Sequence, residues 1–168
     1  KVWTRKEGRN HFNIPENAKV LLVFGGSKGA RSINQALTPI LDNLIDQLHV
    51  IHITGEDNWR DIQANENVQA LLKSKKYHLF PFLHAEMGAA FSAADLVVCR
   101  AGASTIGELP FFGLPAILVP YPHAWRYQYQ NATFLAKNGA AEIIRDQDLT
   151  HDLLGKVMSI FNDEKKLE

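Results

Sequence analysis

Hydrophobic residues occur in short continuous runs that alternate with longer stretches of helical spacing. The runs predict β-strands at residues 20–24, 50–54, 77–80, 96–99, 116–119 and 140–144. The stretches predict α-helices at residues 30–48, with Pro39 as a kink or break, and at 59–72, 86–94, 104–112, 125–137 and 148–161. Continuously apolar strands that alternate with helices are typical of a parallel sheet covered on both faces. We therefore predict an α/β fold, a Rossmann-like, doubly wound parallel sheet of about six strands.

The composition excludes several classes of function. The length of 168 residues suits one domain. There are 18 basic residues (Lys plus Arg) and 18 acidic residues (Asp plus Glu), so the formal net charge is zero and we do not expect nucleic acid as a partner. Cys99 is the single cysteine, and the seven histidines lack metal-ligand spacing, so we expect no metal and no cofactor. No apolar run approaches 18 residues, so we expect no transmembrane segment and a cytoplasmic location.

The first 18 residues differ from the rest. They are polar and basic and show no clear periodicity, which predicts a linker or leading segment before a domain of residues 19–168. The chain has no initiator methionine. We therefore expect it to be an excised piece of a longer protein.

A glycine-rich turn follows the first predicted strand, at residues 25–30. Glycines there let the backbone approach an anion, and Ser27 can donate its hydroxyl to a phosphate. The spacing matches neither the Walker A loop nor the Gly-x-Gly-x-x-Gly fingerprint of dinucleotide-binding domains. From these residues alone, a phosphate-binding turn and a tight turn without a ligand are both open.

A second turn, around Gly102, opens the helix predicted after the fourth strand. The N–H groups of Ala103, Ser104 and Thr105 would be unpaired donors in its first turn, and together with the helix dipole they favour a diphosphate. The alternative is an ordinary helix capped by Ser104 or Thr105. Arg100 could pair with phosphates or brace the loop through a carboxylate.

Two further polar side chains suit a nucleotide sugar. Glu108 lies in the same mostly apolar helix, and a carboxylate can accept two hydrogen bonds from a ribose diol. Gln128 lies in a loop dense in aromatic and amide side chains, which bind sugar rings and hydroxyl groups. An exposed helical glutamate and a surface loop are the alternatives.

Four motifs in this order resemble one known family. Residues 25–30, 100–108, 113–120 and Gln128-x-x-Asn131-Ala132 resemble the C-terminal, donor-binding half of the MurG family. These family 28 glycosyltransferases transfer N-acetylglucosamine from UDP-GlcNAc to lipid I in bacterial peptidoglycan synthesis. The resemblance implies a two-domain GT-B fold and an inverting, metal-independent hexosyltransferase. It also implies that the acceptor domain, with the membrane-contacting patch and the general base, is absent from this chain, so the domain alone should be inactive.

The resemblance also implies roles for individual residues. Ser27 and the amides that follow Gly102 would face the diphosphate, Glu108 would bind the ribose, and Gln128 would recognise the sugar. The backbone near Leu83, with Met87 close by, would hold the uracil. The implied UDP-sugar-binding set is Gly26, Ser27, Leu83, Met87, Arg100, Gly102, Ala103, Ser104, Thr105, Glu108 and Gln128. No catalytic residue is expected in this chain. Tyr127 departs from the family, many members of which have a polar residue there.

Other functions remain open at this stage. The acceptor could be a molecule other than lipid I, for example diacylglycerol, because the absent N-terminal half is the part that recognises the acceptor. The chain could also be a non-catalytic UDP-sugar-binding subunit. An NAD-binding domain is disfavoured because the Gly-x-Gly-x-x-Gly fingerprint is missing after the first strand. For the full-length enzyme, the resemblance implies peripheral association with the inner face of the cell membrane.

Overall fold

Six parallel strands form one sheet in the order β3-β2-β1-β4-β5-β6. The computed structural model describes residues 2–26 and 28–167. The strands are β1 (Val20–Phe24), β2 (His49–Ile53), β3 (Tyr77–Phe80), β4 (Leu96–Cys99), β5 (Ala116–Leu118) and β6 (Ala141–Ile143). The direction of the strand order changes between β1 and β4, which is the point where ligands bind in open α/β sheets.

Helices cover both faces of this sheet, as the continuous apolar runs predict. In the described ranges they are α1 (Arg5–His11), α2 (Arg31–Leu37), α3 (Leu41–Ile45), α4 (Glu56–Gln63), α5 (Glu66–Leu72), α6 (Met87–Ala93), α7 (Ala103–Phe112), α8 (Trp125–Lys137) and α9 (Leu149–Phe161). Helices α2, α3, α5 and α9 pack on one face, and α6, α7 and α8 on the other. Successive β1 residues enter opposite cores: Leu21 and Val23 join the first core, and Val20 and Leu22 the second.

The predicted α/β fold is confirmed. Two of the predicted helices are each divided in the structure, and both divisions have a physical cause. Pro39 does break the predicted 30–48 helix, because residues Thr38–Ile40 form a 3₁₀ turn between α2 and α3. The single helix predicted for residues 59–72 is wrong. Asn65 interrupts it, accepting a 3.3 Å hydrogen bond from the Val68 N–H and so starting a new helix as its N-cap.

The leading segment, predicted as a linker, contains a packed helix. Helix α1 lies so close to α6 that a Cβ on Gly8 would be 2.5 Å from the Ala89 carbonyl oxygen. Arg9 is only 1% exposed and donates to the Asp95 carboxylate at 2.9 Å. That carboxylate also accepts from the Val20 N–H at 2.8 Å. Hydrophobic periodicity missed this helix because a glycine and a paired arginine, rather than apolar side chains, form its buried face.

Candidate functional site

A crevice of about 840 Å³ lies at the carboxyl ends of the strands. The segments that follow β1, β2, β4, β5 and β6 all contribute to its lining. Seven of the predicted site residues are among those that line it: Gly26, Arg100, Gly102, Ser104, Thr105, Glu108 and Gln128. The structure therefore brings together residues from both glycine turns, from α7 and from the start of α8.

The start of α7 points its first turn toward this crevice. Gly102 is the N-cap residue, with φ −68° and ψ 161°, and no side chain caps the helix. The alternative of a helix capped by Ser104 or Thr105 is wrong, because both residues lie inside α7. Ala103 is the first residue of the helix, and its side chain is not among the crevice lining. An uncapped helix start at a crevice offers backbone donors and a positive dipole end to an anion.

The first glycine turn borders the crevice on the β1 side. Gly26 has φ +92° and Gly29 has φ +81°, both in the region that favours glycine. Ser27, the predicted hydroxyl donor of this turn, lies outside the described residues. Lys28 and Arg31 also line the crevice and add positive charge, which the sequence interpretation did not assign to the site.

Glu108 and Gln128 both line the crevice. Glu108 is exposed and makes no hydrogen bond or ion pair with the described residues. Gln128 Oε1 accepts a 2.9 Å hydrogen bond from the Tyr121 N–H, which leaves the side-chain amide nitrogen to bind a ligand. A free carboxylate and a fixed amide suit the hydroxyl groups of a sugar.

Arg100 braces the crevice through a carboxylate, one of the two roles that the sequence left open. Its Nη1 lies 2.5 Å from Asp146 Oδ1, and Nη2 donates to Ser32 Oγ at 2.8 Å. Ser32 in turn donates to Asp146 at 2.6 Å, and the guanidinium lies 5.2 Å from the centre of the Tyr121 ring. Asp146 was missed by sequence reasoning. The signal that could have found it is its position three residues after β6, at the same sheet edge as Arg100.

Leu83 and Met87 are not among the residues that line the crevice. Leu83 is buried in the apolar core shared with Phe24 and Leu109, and Met87 begins α6 at the edge of that core. The crevice also includes polar side chains that the sequence interpretation omitted, among them Asp57, Asn58, Asp61 and His123. The first three belong to α4 and could have been found from their position shortly after β2.

Three further observations concern metal ions, the single cysteine and membrane-spanning helices. Among residues 2–26 and 28–167, no three His, Cys, Asp or Glu side chains are grouped so that they could hold a metal ion. Cys99 is fully buried, and burial, with a smaller effect of Glu108, raises the pKa of its thiol. None of the helices described above combines the length and the apolar character needed to cross a bilayer.

Comparison with known proteins gives the family. The sequence profile of the glycosyltransferase family 28 C-terminal domain matches residues 20–168. The chain belongs to this family. The N-acetylglucosamine transferase of Desulforudis audaxviator, named for UDP-N-acetylglucosamine and N-acetylmuramyl-(pentapeptide) pyrophosphoryl-undecaprenol, is 42% identical and aligns with 97% of this chain and 45% of its own length. An identically named relative from Halothermothrix orenii is 37% identical, with 98% and 46% covered.

Solved structures agree with this family 28 assignment. Acinetobacter baumannii MurG superposes with a TM-score of 0.75 at 30% identity, covering 99% of this chain and 46% of that one. The glycotransferase of kitacinnamycin, at 24% identity and a TM-score of 0.70, covers 91% and 37% and shares the fold. The fold is thus the Rossmann-like one of GT-B glycosyltransferases, and the resemblance to MurG is confirmed. The family 28 chain spans about half the length of the curated relatives it matches.

Proposed function

We propose that this chain is the donor-binding domain of an inverting glycosyltransferase that transfers N-acetylglucosamine from UDP-GlcNAc to lipid I in peptidoglycan synthesis. The observation that carries the proposal is the pairing, in one crevice, of the uncapped start of α7 with the free carboxylate of Glu108. Relatives up to 42% identical that are named as UDP-N-acetylglucosamine transferases support the choice of donor.

In the proposed complex, the diphosphate binds the amides of Ala103, Ser104 and Thr105, close to Gly26 and the Ser27 hydroxyl. The positive end of α7 then stabilises the charge that develops on the departing UDP. Because Asp146 neutralises Arg100, additional positive charge near the diphosphate comes from Lys28 and Arg31. No metal ion or other cofactor takes part in this proposal.

The remaining contacts of the donor follow from the same arrangement. Glu108 accepts the two ribose hydroxyls, and the amide nitrogen of Gln128 donates to a sugar hydroxyl. The uracil contacts the backbone near Leu83, beside Met87 at the start of α6. Neither Leu83 nor Met87 is among the residues that line the crevice.

The remaining steps of the proposed reaction require groups that we do not assign to this chain, namely a general base and an acceptor site. The acceptor hydroxyl attacks the anomeric carbon directly, without a covalent enzyme intermediate, and a general base takes its proton. We assign that base and the lipid I site to a second domain, since the matched relatives are more than twice as long. Residues 19–168 alone should bind the donor without transferring it. A lipid-linked acceptor places the full-length enzyme at the inner face of the cell membrane, as a peripheral protein that serves wall growth, cell shape and division.

Calorimetric titration tests the donor class. The 168-residue chain is titrated with UDP, UDP-GlcNAc, UDP-glucose and NAD at the same ionic strength. We expect binding of the three uridine nucleotides and no binding of NAD. Binding of NAD without binding of UDP would overturn the proposal.

A substitution tests the role of Glu108. We expect Glu108→Ala to weaken UDP binding by about 1–3 kcal/mol, because charged hydrogen bonds to the diol are lost. The matched control is Glu66→Ala, which removes an exposed helical glutamate outside the crevice and should leave UDP affinity unchanged. Equal affinities for both variants and the unsubstituted chain would remove Glu108 from the site.

A further inference from the structure

A buried chain of polar side chains lies behind the first glycine turn. Asn34, His52, Thr54 and Tyr77 are at most 3% exposed. His52 Nδ1 is 2.8 Å from the Tyr77 hydroxyl, and His52 Nε2 is 2.8 Å from Asn34 Oδ1. Asn34 Nδ2 donates to the Thr54 carbonyl oxygen at 2.9 Å. Three hydrogen bonds therefore connect a residue of β3 to the backbone just after β2.

The donor and the acceptor of each hydrogen bond in this buried series can be assigned. Asn34 uses its amide nitrogen on Thr54, so its oxygen must accept the proton on His52 Nε2. Burial lowers the pKa of His52 to about 3, so the ring is neutral near pH 7 and its Nδ1 accepts from Tyr77. Burial also raises the pKa of Tyr77, which keeps that hydroxyl protonated. Each donor meets an acceptor, which a buried polar network requires.

This series of hydrogen bonds ends at the Thr54 backbone, which packs against the glycine turn of the crevice. A Cβ on Gly29 would lie 2.1 Å from the carbonyl oxygen of Thr54, and a Cβ on Gly55 would lie 2.2 Å from Gly29 Cα. Asn58 Nδ2 also donates to the Lys28 carbonyl oxygen at 3.4 Å. The backbone at Thr54 and Gly55 is therefore the surface on which residues 28–29 rest. A shift of the Thr54 carbonyl would move the turn that borders the crevice.

We propose that Asn34 and His52 are positioning residues, which set the place of the phosphate-facing turn by holding the Thr54 carbonyl against Gly29. The ligand readout of this inference rests on the proposed function, and neither side chain touches the ligand. His52 orients the Asn34 amide, and the amide fixes the carbonyl. Tyr77 lies at the far end, so it completes the hydrogen bonding of His52 without holding the turn.

Two substitutions separate positioning from general stability. Asn34→Leu keeps the branched shape of the side chain but removes its bond to Thr54. We expect the Kd for UDP to rise by about tenfold, as one buried hydrogen bond would give, and amide exchange at residues 28–30 to accelerate in the ligand-free chain. Tyr77→Phe, the control, also breaks one buried hydrogen bond but should leave Kd within about twofold and exchange at residues 28–30 unchanged.

Conservative rescue gives a second test at His52. His52→Gln places an amide nitrogen near the position of Nε2 and can still donate to Asn34, so UDP affinity and exchange protection should be retained. His52→Leu cannot donate and should behave as Asn34→Leu does. It also replaces that variant if Asn34→Leu fails to fold. A folded Asn34→Leu or His52→Leu chain with unchanged Kd and unchanged exchange would overturn the inference, and so would Tyr77→Phe with losses equal to those of Asn34→Leu.

The two proposals fail in different ways. If the unsubstituted chain binds no uridine nucleotide, the proposed function is wrong. The exchange of residues 28–30 still decides the positioning role, because it is measured without ligand, with the amides of β6 as an internal reference. If the unsubstituted chain binds UDP but the leucine variants leave both measurements unchanged, only the positioning role is wrong.

Discussion

The two walls of the crevice are held in opposite ways. The neutral wall consists of residues 28–29, which line the crevice, and of residues 54–55, which support them from behind. It rests on hydrogen bonds among side chains that are at most 3% exposed and carry no charge near pH 7. The ionic wall, formed by Ser32, Arg100, Tyr121 and Asp146, rests on an ion pair whose side chains are 12% and 22% exposed. Both walls present polar atoms at the same sheet edge.

This difference affects rigidity and charge. A fully buried network holds one arrangement, because any broken bond leaves an unsatisfied polar group. An ion pair near the surface is weaker, since water and salt compete for both partners. The pair also removes the net charge of Arg100 from the crevice, so anion attraction there depends on the start of α7 and on nearby cations. The neutral wall therefore fixes geometry, and the ionic wall joins loops while leaving little net charge of its own.

The largest expected effect comes from crowding the neutral wall. Gly29→Ala should lower the free energy of unfolding by roughly 3–5 kcal/mol, because it adds a clash with the Thr54 carbonyl to the cost of a positive φ. Gly139→Ala is the control: φ is +75° there, but no atom lies within 4 Å of the new Cβ, so about 1 kcal/mol is expected. Urea unfolding measures both. Equal losses of unfolding free energy in the two variants would mean that residues 28–29 can move away from the Thr54 carbonyl at little cost.

Substitutions that break the ion pair of the ionic wall should lower the free energy of unfolding by less than Gly29→Ala does. Arg100→Gln should lower the free energy of unfolding by about 2–3 kcal/mol, since charged hydrogen bonds to Asp146 and Ser32 are lost near the surface. Asp146→Asn should also lower the free energy of unfolding, because Arg100 then loses its ionic partner. Urea unfolding measures both variants, and unchanged stability in both would contradict the bracing role.

A change of pH should affect the neutral wall through His52. Its pKa is lowered from 6.5 to about 3 in the folded chain, so the unfolded chain binds the proton more tightly. The contribution of the neutral ring is present above pH 6.5 and is lost progressively as the pH falls toward 3. Between pH 7 and 5, the stability advantage of the unsubstituted chain over His52→Gln should shrink by about 2 kcal/mol. Comparing the two chains cancels the effects of His49 and His78. A constant difference would mean that His52 accepts a proton in the fold.

The sequence predicted most of the fold because buried parallel strands need continuous apolar runs. It missed α1, whose buried face holds Gly8 and Arg9, since pairing with Asp95 replaces hydrophobicity there. It joined α4 and α5 because the N-cap role of Asn65 depends on local geometry that an apolar pattern does not record.

Part of the crevice lining could be predicted from the positions of the helices that follow the strands. Glu108 and Gln128 lie on the crevice as expected, since the helices that carry them start at the carboxyl edge of the sheet. The partners Asp146 and Asn34 were not predicted. Each acts on a residue far away in sequence, and only the folded chain brings the two together. The uracil contacts near Leu83 and Met87 stay a prediction.

The strand order also has a consequence for folding. Strands β1 to β3 come from residues 20–80, and β4 to β6 from residues 96–143, so each half of the sheet is continuous in sequence. Among the strand pairings of the described residues, the β1–β4 pairing joins the halves, and its register places Leu21 beside Leu96. Contacts of such long separation carry the larger loop-closure cost and form late. The crevice spans this seam, so a ligand that bridges its two walls binds the folded chain alone and stabilises it by mass action.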